Sequence, residues 1–185
     1  MRTISVLAAL TAAAVLVLAG CGGTGAPDAG GAGDIPDNQA FVEYRPAGNQ
    51  YALKVPEGWA RAESGGTVTF TDKLNTITVT LGAAAAAPDV PTGQAELTAL
   101  AGTTSGFTAG TAAMVERPAG PVLLVTYRAD APPDPVTGKV VNDDVERYEY
   151  WHAPSGLLTV TLAGPHGADN VDPWRTVTDS VRWLP

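Results

Sequence analysis

Hydrophobic and polar residues alternate along much of residues 41–185, as in β-strands that bury one face. In TVTFTD, Val68 and Phe70 alternate with threonines, and NTITVTL repeats this alternation after a short polar link. Two such segments predict a hairpin. Similar alternation predicts strands in YALKV, VERYEYWH and LLTVTL, and a weaker strand is expected at 112–117. PVLLVTYR is apolar on both faces, which predicts a central strand.

Apolar residues at helical spacing predict two helices. The first lies in TGQAELTALAG and ends near Gly102. The second lies in VDPWRTVTDSVRW, where Asp172 is the expected N-cap, Pro173 is the first helical residue and Trp183 lies at the domain edge or beside a strand. Its apolar stripe consists of Trp174, Val177 and Val181. Together these elements predict an α+β domain, an antiparallel sheet of about six or seven strands with packed helices.

The first 20 residues have the pattern of an export signal. Arg2 is followed by an apolar run from Ile4 to Leu18, which is shorter than the roughly 20 residues that span a bilayer. Leu18-Ala19-Gly20-Cys21 resembles the bacterial lipobox, whose cysteine is joined to a diacylglycerol before cleavage and acylation of the new N-terminus. The resemblance implies that residues 1–20 are a lipoprotein signal peptide. It also implies that Cys21 anchors the protein to the extracytoplasmic side of the cell membrane.

Residues 21–40 have the composition of a flexible stalk. They are mostly Gly, Ala, Pro and Asp, and Ile35 is their single large apolar residue. So little apolar surface does not offset the entropy cost of ordering the chain. We therefore expect the folded domain to span 41–185.

The charge balance limits the partners. The chain has 11 Lys and Arg against 19 Asp and Glu, a net charge of −8, so nucleic acid is not an expected partner. The expected partners are the lipid bilayer, through acylated Cys21, and an unknown envelope or membrane protein. Many Ala, Gly, Pro, Thr and Val residues with few Lys also suggest a GC-rich genome, such as an actinobacterial one.

Two segments carry a resemblance to a known family. The strand YALKV followed by Pro56-Glu57-Gly58-Trp59 resembles the opening of PsbP/Mog1-like domains, which include many actinobacterial lipoproteins. Those domains close with an amphipathic helix that ends in Trp, as WRTVTDSVRW does. The resemblance implies an α/β/α sandwich and an accessory or binding role rather than an enzymatic one. The residues support no metal cluster, and no cofactor is expected.

Few residues suggest catalysis. His152 and His166 have no metal-ligand spacing to another histidine, glutamate or cysteine. The serines considered as nucleophiles lie in no catalytic motif: Ser64, Ser105, Ser155 and Ser180. A hydrolase built on His152 or His166 remains an alternative, since a triad can assemble in space.

An acidic segment joins two of the predicted strands. It contains the oxygen ligands that Ca²⁺ prefers, although their spacing matches no EF-hand: Asp130, Asp134, Asn142, Asp143, Asp144 and Glu146. The metal candidates among them are Asp130, Asp134, Asp143 and Asp144. The alternative is ordinary turn chemistry on a solvated face.

The loop 129–145 is also longer than the usual connection of about 2–5 residues, which is typical of binding loops. With Tyr148, Tyr150 and Trp151 it forms the candidate partner surface. The sequence thus favours a non-enzymatic accessory or binding subunit of a membrane or envelope complex. The alternatives are a solute-binding module with an apolar pocket and a cell-envelope hydrolase.

Overall fold

The computed structural model describes residues 31, 33–153 and 155–185. Within these residues the chain forms strands and two helices. Along the chain these are β1 (Phe41–Tyr44), β2 (Tyr51–Pro56), β3 (Ala60–Ser64), β4 (Thr67–Asp72), β5 (Asn75–Gly82), α1 (Val90–Ala101), β6 (Thr108–Arg117), β7 (Gly120–Asp130), β8 (Asn142–His152), β9 (Gly156–Pro165), α2 (Val171–Asp179) and β10 (Arg182–Trp183). In the described part no helix is both long and apolar enough to span a bilayer.

The strands form two antiparallel sheets. A large sheet has seven strands in the order β3-β4-β5-β9-β8-β7-β6, and a small sheet has the order β1-β2-β10. The predicted hairpin is present, with Asp72 opposite Asn75 at its turn. PVLLVTYR lies in β7, an interior strand next to the edge strand β6. The predicted α+β class is confirmed, and so is the antiparallel sheet of about six or seven strands, which has seven.

Alternation along the strands places a core on each face of the large sheet. On one face, Val79, Leu158 and Val160 pack with the small sheet and α2 in the main core. On the opposite face, Leu97 of α1 packs with Leu123 and Val125 of β7. The large sheet is therefore the middle layer of three, and two neighbouring residues of any interior strand face different layers.

Helix α1 begins and ends close to its predicted position. Asp89 is the N-cap, accepting a hydrogen bond from the backbone N–H of Thr92 at 2.9 Å, and Gly102 is the C-cap. Gly93 faces the sheet, where an added Cβ would lie 2.9 Å from the Cβ of Ala112. The helix packs close to the sheet because no side chain separates them at this point.

Helix α2 confirms the buried stripe but not the predicted cap. Trp174, Val177 and Val181 are 7%, 1% and 2% exposed. The helix begins at Val171 with Asn170 at the N-cap position, so the prediction that Asp172 is the N-cap is wrong. Asp172 lies in the first turn and pairs with Arg175.

The C-terminus also differs from the predicted helix. Helix α2 ends at Asp179, and Arg182 and Trp183 pair with β2 as a short strand. Trp183 therefore lies beside a strand, as predicted, and its ring stacks on His152 with the ring centroids 5.0 Å apart.

The predicted stalk, residues 21–40, ends earlier in the structure than at residue 40. Ile35 is 4% exposed and belongs to the main core. Its backbone N–H donates to Oδ1 of Asn170 at 2.8 Å, and Nδ2 of Asn75 donates to the carbonyl of Gly33 at 2.8 Å. These contacts fix the segment from residue 33 onwards, so the folded unit begins before residue 41. Cys21 and residues 1–30 lie outside the described residues.

Candidate functional site

Two concave sites flank the beginning of β8, where Asp143 and Asp144 are adjacent. Successive strand residues point to opposite faces, so Asp143 faces the α1 layer and Asp144 faces the α2 layer. Asp143 lines a groove of about 670 Å³, which we call the hairpin groove. Asp144 lines a cleft of about 370 Å³ with His166, which we call the histidine cleft. The sequence grouped the two aspartates, and the sheet separates them.

The hairpin groove lies under the loop 131–141, which joins β7 to β8. Backbone hydrogen bonds hold this loop as an extension of the hairpin, from Ala131 N to the carbonyl of Val141 at 2.8 Å and from Asp134 N to that of Lys139 at 2.9 Å. The loop is thus shorter than the predicted 129–145 and is ordered by its own bonds. Apolar side chains of the loop, the sheet and the β4–β5 turn line the groove: Leu74, Ala129, Pro132, Pro133, Val145 and Ala163.

Asp143 is the buried polar group of the hairpin groove. It is 7% exposed, and its Oδ1 has no hydrogen-bond partner within the described residues. Burial, assisted by the nearby charge of Asp144, raises the pKa of the Asp143 carboxyl to about 6. The groove therefore combines apolar walls with a desolvated carboxylate.

The other acidic residues of the loop have partners. Asp130 accepts from the Ser105 hydroxyl at 2.8 Å and from Nδ2 of Asn142 at 3.1 Å. Asp134 accepts from the backbone N–H groups of Val136 at 3.0 Å and of Thr137 at 2.7 Å. These bonds lower the pKa of both carboxyls, and they close the turns that hold the loop.

The structure does not bring the four metal candidates together. Asp130 and Asp134 serve the loop, while Asp143 and Asp144 lie on opposite faces of β8. Among the described residues no three His, Cys, Asp or Glu side chains gather as a metal site. The carboxylates are adjacent in the sequence, but the pleat of the strand sends them apart.

The histidine cleft contains an oriented imidazole. Nδ1 of His166 lies 2.9 Å from both carboxylate oxygens of Asp144, and its Nε2 lies 3.3 Å from an Arg128 nitrogen. The Gly167 N–H also donates to Asp144 at 3.1 Å. A neutral His166 that donates from Nδ1 to Asp144 keeps Nε2 as an acceptor.

The Asp144–His166 pair has no serine or cysteine nucleophile beside it among the described residues. The lining residues that carry a hydroxyl are Thr108, Thr126 and Tyr127, and Oγ1 of Thr126 accepts from the Thr111 N–H at 2.9 Å. No serine or cysteine lines the cleft in the described part of the chain. His152 lies at the opposite end of β8, with Nδ1 3.2 Å from the Ser155 hydroxyl. The two histidines therefore belong to different parts of the domain.

The predicted aromatic surface is wrong for both tyrosines. Tyr148 and Tyr150 are 4% and 1% exposed and belong to the main core. The Tyr150 hydroxyl donates to the carbonyl of Thr178 in α2 at 2.8 Å. Trp151 is half-buried on the opposite face, where its Nε1 lies 3.4 Å from the carbonyl of Ala84. Tyr150 therefore stabilises the contact between the sheet and α2, and both tyrosines are too buried to form the predicted surface.

The hairpin groove was not predicted from the sequence, although two sequence features pointed to it. The loop is rich in proline, and alternation places Asp143 on the same strand face as the apolar Val145. An acidic residue that shares a face with core positions predicts burial of its carboxylate.

The comparisons with known proteins identify a fold but no family. No family model matches the chain, and no curated protein matches it. The solution structure of cyanobacterial PsbP (CyanoP) from Synechocystis sp. PCC 6803 is similar with a TM-score of 0.54 and 16% identity, over 90% of this chain and 99% of that one. The chain therefore has a PsbP-like fold, as the resemblance implied.

Two further solved structures are more distant. A Bacteroides thetaiotaomicron protein matches with a TM-score of 0.49 and 12% identity over 77% of this chain. This match covers 48% of that protein, so the chain spans about half its length. A Pseudomonas aeruginosa protein of unknown function, described as a putative regulator, matches with a TM-score of 0.46 and 14% identity, over 73% of this chain and 91% of that one.

Proposed function

We propose that this protein is a non-enzymatic extracytoplasmic binding protein, held at the cell membrane by acylated Cys21, whose ligand site is the hairpin groove. The groove of about 670 Å³ carries this proposal. Its volume falls within the range of about 300–1,000 Å³ that is typical of small-molecule sites. Mostly apolar walls with a few polar groups are also typical of such sites.

The groove favours a small molecule over a protein partner as the first ligand. The tyrosines that suggested a partner surface are buried, whereas the groove is concave and opens between the loop and the sheet. A tethered module of this kind still suits an accessory subunit of a membrane or envelope complex, because the residues before 33 separate the domain from Cys21.

A neutral fluorescent dye tests the groove directly. N-phenyl-1-naphthylamine should bind with 1:1 stoichiometry and gain fluorescence, because the apolar walls exclude water. Ala163→Trp should abolish the signal by filling the groove, since Ala163 lines it. Ala62→Trp is the matched control, because Ala62 is an exposed residue of β3 outside the groove. Equal dye binding by both variants would reject the groove as the ligand site.

Membrane attachment has a separate test. The wild-type protein should partition with the membrane in a bacterium that processes lipoproteins, and Cys21→Ala should release it or leave the precursor uncleaved. Intact-mass analysis of the membrane-extracted protein should show the acyl chains on Cys21. An unmodified cysteine in the processed, membrane-bound protein would contradict the anchor.

The Asp144–His166 pair favours a second candidate function, hydrolysis in the histidine cleft. Turnover of p-nitrophenyl acetate that is lost in His166→Ala and kept in His152→Ala would establish it. We expect no turnover above the background of the buffer, since no serine or cysteine lines the described cleft.

A further inference from the structure

Asp143 is a buried carboxylate whose Oδ1 receives no hydrogen bond from the rest of the described chain. The residue is 7% exposed, and no hydrogen-bond donor among the described residues reaches its Oδ1. An ionised group in such a place is costly unless a donor or a cation meets it. Asp143 also lines the hairpin groove, so a ligand bound there would lie next to this residue.

The other ionisable groups of the groove do not supply a cation that would neutralise the Asp143 carboxylate. Lys73 and Lys139 line the groove, but both residues are exposed, and neither bonds to Asp143. Asp130 and Asp134 are already bonded to Ser105, Asn142 and the loop backbone. Tyr127 also lines the groove and is a neutral group at physiological pH.

We propose that the hairpin groove binds a small apolar molecule that carries a protonated amine, and that the Asp143 carboxylate holds the amine. This inference rests on the proposed function and specifies its ligand class. The amine supplies both the missing donor and the missing positive charge, while the apolar body covers the walls formed by the prolines and the sheet. A carboxylate ligand would instead place a third negative charge near Asp143 and Asp144.

Three ligands that differ only in their head group test the charge preference. These are 4-phenylbutylamine, 4-phenylbutanol and 4-phenylbutanoate, titrated calorimetrically at pH 7.5 into the chain from residue 22. This chain keeps every residue of both cores, which lie between Ile35 and Val181. We expect the amine to bind about tenfold or more tightly than the alcohol, because a charge-assisted bond is stronger than a neutral one. The carboxylate should bind most weakly.

Two variants test whether Asp143 causes the preference for the amine over the alcohol. Asp143→Asn should bind the amine and the alcohol with equal affinity, whereas Asp37→Asn, which removes the same charge at an exposed residue outside the groove, should keep the preference. Binding of all three ligands without an amine preference would overturn this inference and leave the groove as an apolar site. Binding of none of the three by the wild type would overturn both this inference and the proposed function. An amine preference that persists in Asp143→Asn would overturn the assignment to Asp143.

Discussion

Replacing Asn170 with alanine should destabilise the domain, because Asn170 connects the N-terminal segment to the core. Its side chain accepts from the Ile35 N–H at 2.8 Å and donates to the Gly33 carbonyl at 3.2 Å and to Oδ1 of Asn75 at 2.9 Å. Asn75 and Asn170 are each 3% exposed. The bonds to Ile35 and Asn75 are therefore shielded from water, and the bond to Gly33 is partly shielded.

The size of the destabilisation follows from the number of buried groups that lose their hydrogen-bond partner. In Asn170→Ala the Ile35 N–H and Oδ1 of Asn75 become unpaired, while the Gly33 carbonyl keeps its bond from Asn75 at 2.8 Å. Each buried unpaired group costs about 1–3 kcal/mol, so the free energy of unfolding should fall by about 2–6 kcal/mol. The total free energy of unfolding of a domain of this size is about 5–15 kcal/mol.

Urea unfolding of the chain from residue 22, followed by tryptophan fluorescence, measures this change. The midpoint should fall with little change in slope, and Asn38→Ala should leave it unchanged because Asn38 is exposed in the same segment. In the fragment 41–185 the same Asn170 substitution should cost about half as much, since Ile35 and Gly33 are absent and one partner remains. An unchanged midpoint for Asn170→Ala in the longer chain would refute the connecting role of this side chain.

Three further predictions concern single side chains. Trp174→Ala should lower the free energy of unfolding by about 3–5 kcal/mol, measured by the same urea method, because Trp174 is 7% exposed and lies in the main core. Asp172→Ala should change it by less than about 0.5 kcal/mol, since Asp172 forms only a surface pair with Arg175 and no cap. Asp143 has a folded-state pKa of about 6, above its ordinary 3.8, so between these pH values the folded protein binds a proton at Asp143 that the unfolded chain has lost. The free energy of unfolding should therefore fall as pH rises from about 4 to 6. Asp143→Asn should therefore melt higher than the wild type at pH 7.5 and equal to it at pH 4; an equal difference at both pH values would exclude this carboxyl as the cause.

The alternation of side chains was enough to predict most of the large sheet. Segments such as TVTFTD and LLTVTL place every second residue in a core, and this period of two is a local property of the chain. The stripe of α2 was predictable for the same reason, from the spacing of Trp174 and Val177. Local periodicity thus determined the α+β class and the buried face of the best-marked elements.

Strands without a local signal were missed. Residues 60–64 in β3 are all exposed and carry no large apolar side chain, and they form a strand because their backbone pairs with β4. Strand β10 likewise exists through its pairing with β2. Backbone hydrogen bonds of this kind depend on which segments meet in space, and residue types do not encode them locally.

Long-range contacts also decided the domain boundary and the start of α2. Ile35 looked like an isolated apolar residue in a stalk, but it meets Asn170 across 135 positions of the chain. That contact occupies the Asn170 side chain at the N-terminus of α2, where the sequence placed the cap at Asp172. The sequence determined both residue types, and the packing of the two segments decided their roles.

The candidate site shows the same division between local pattern and packing. The pleat of a strand already separates Asp143 from Asp144, and the shared face with Val145 already indicates burial of Asp143. The groove itself exists because the loop 131–141 lies over the sheet beside the β4–β5 turn. Tyr148 and Tyr150 were placed on a surface because they follow the long loop in the sequence, and the position of α2 decided that their face of the strand became the core.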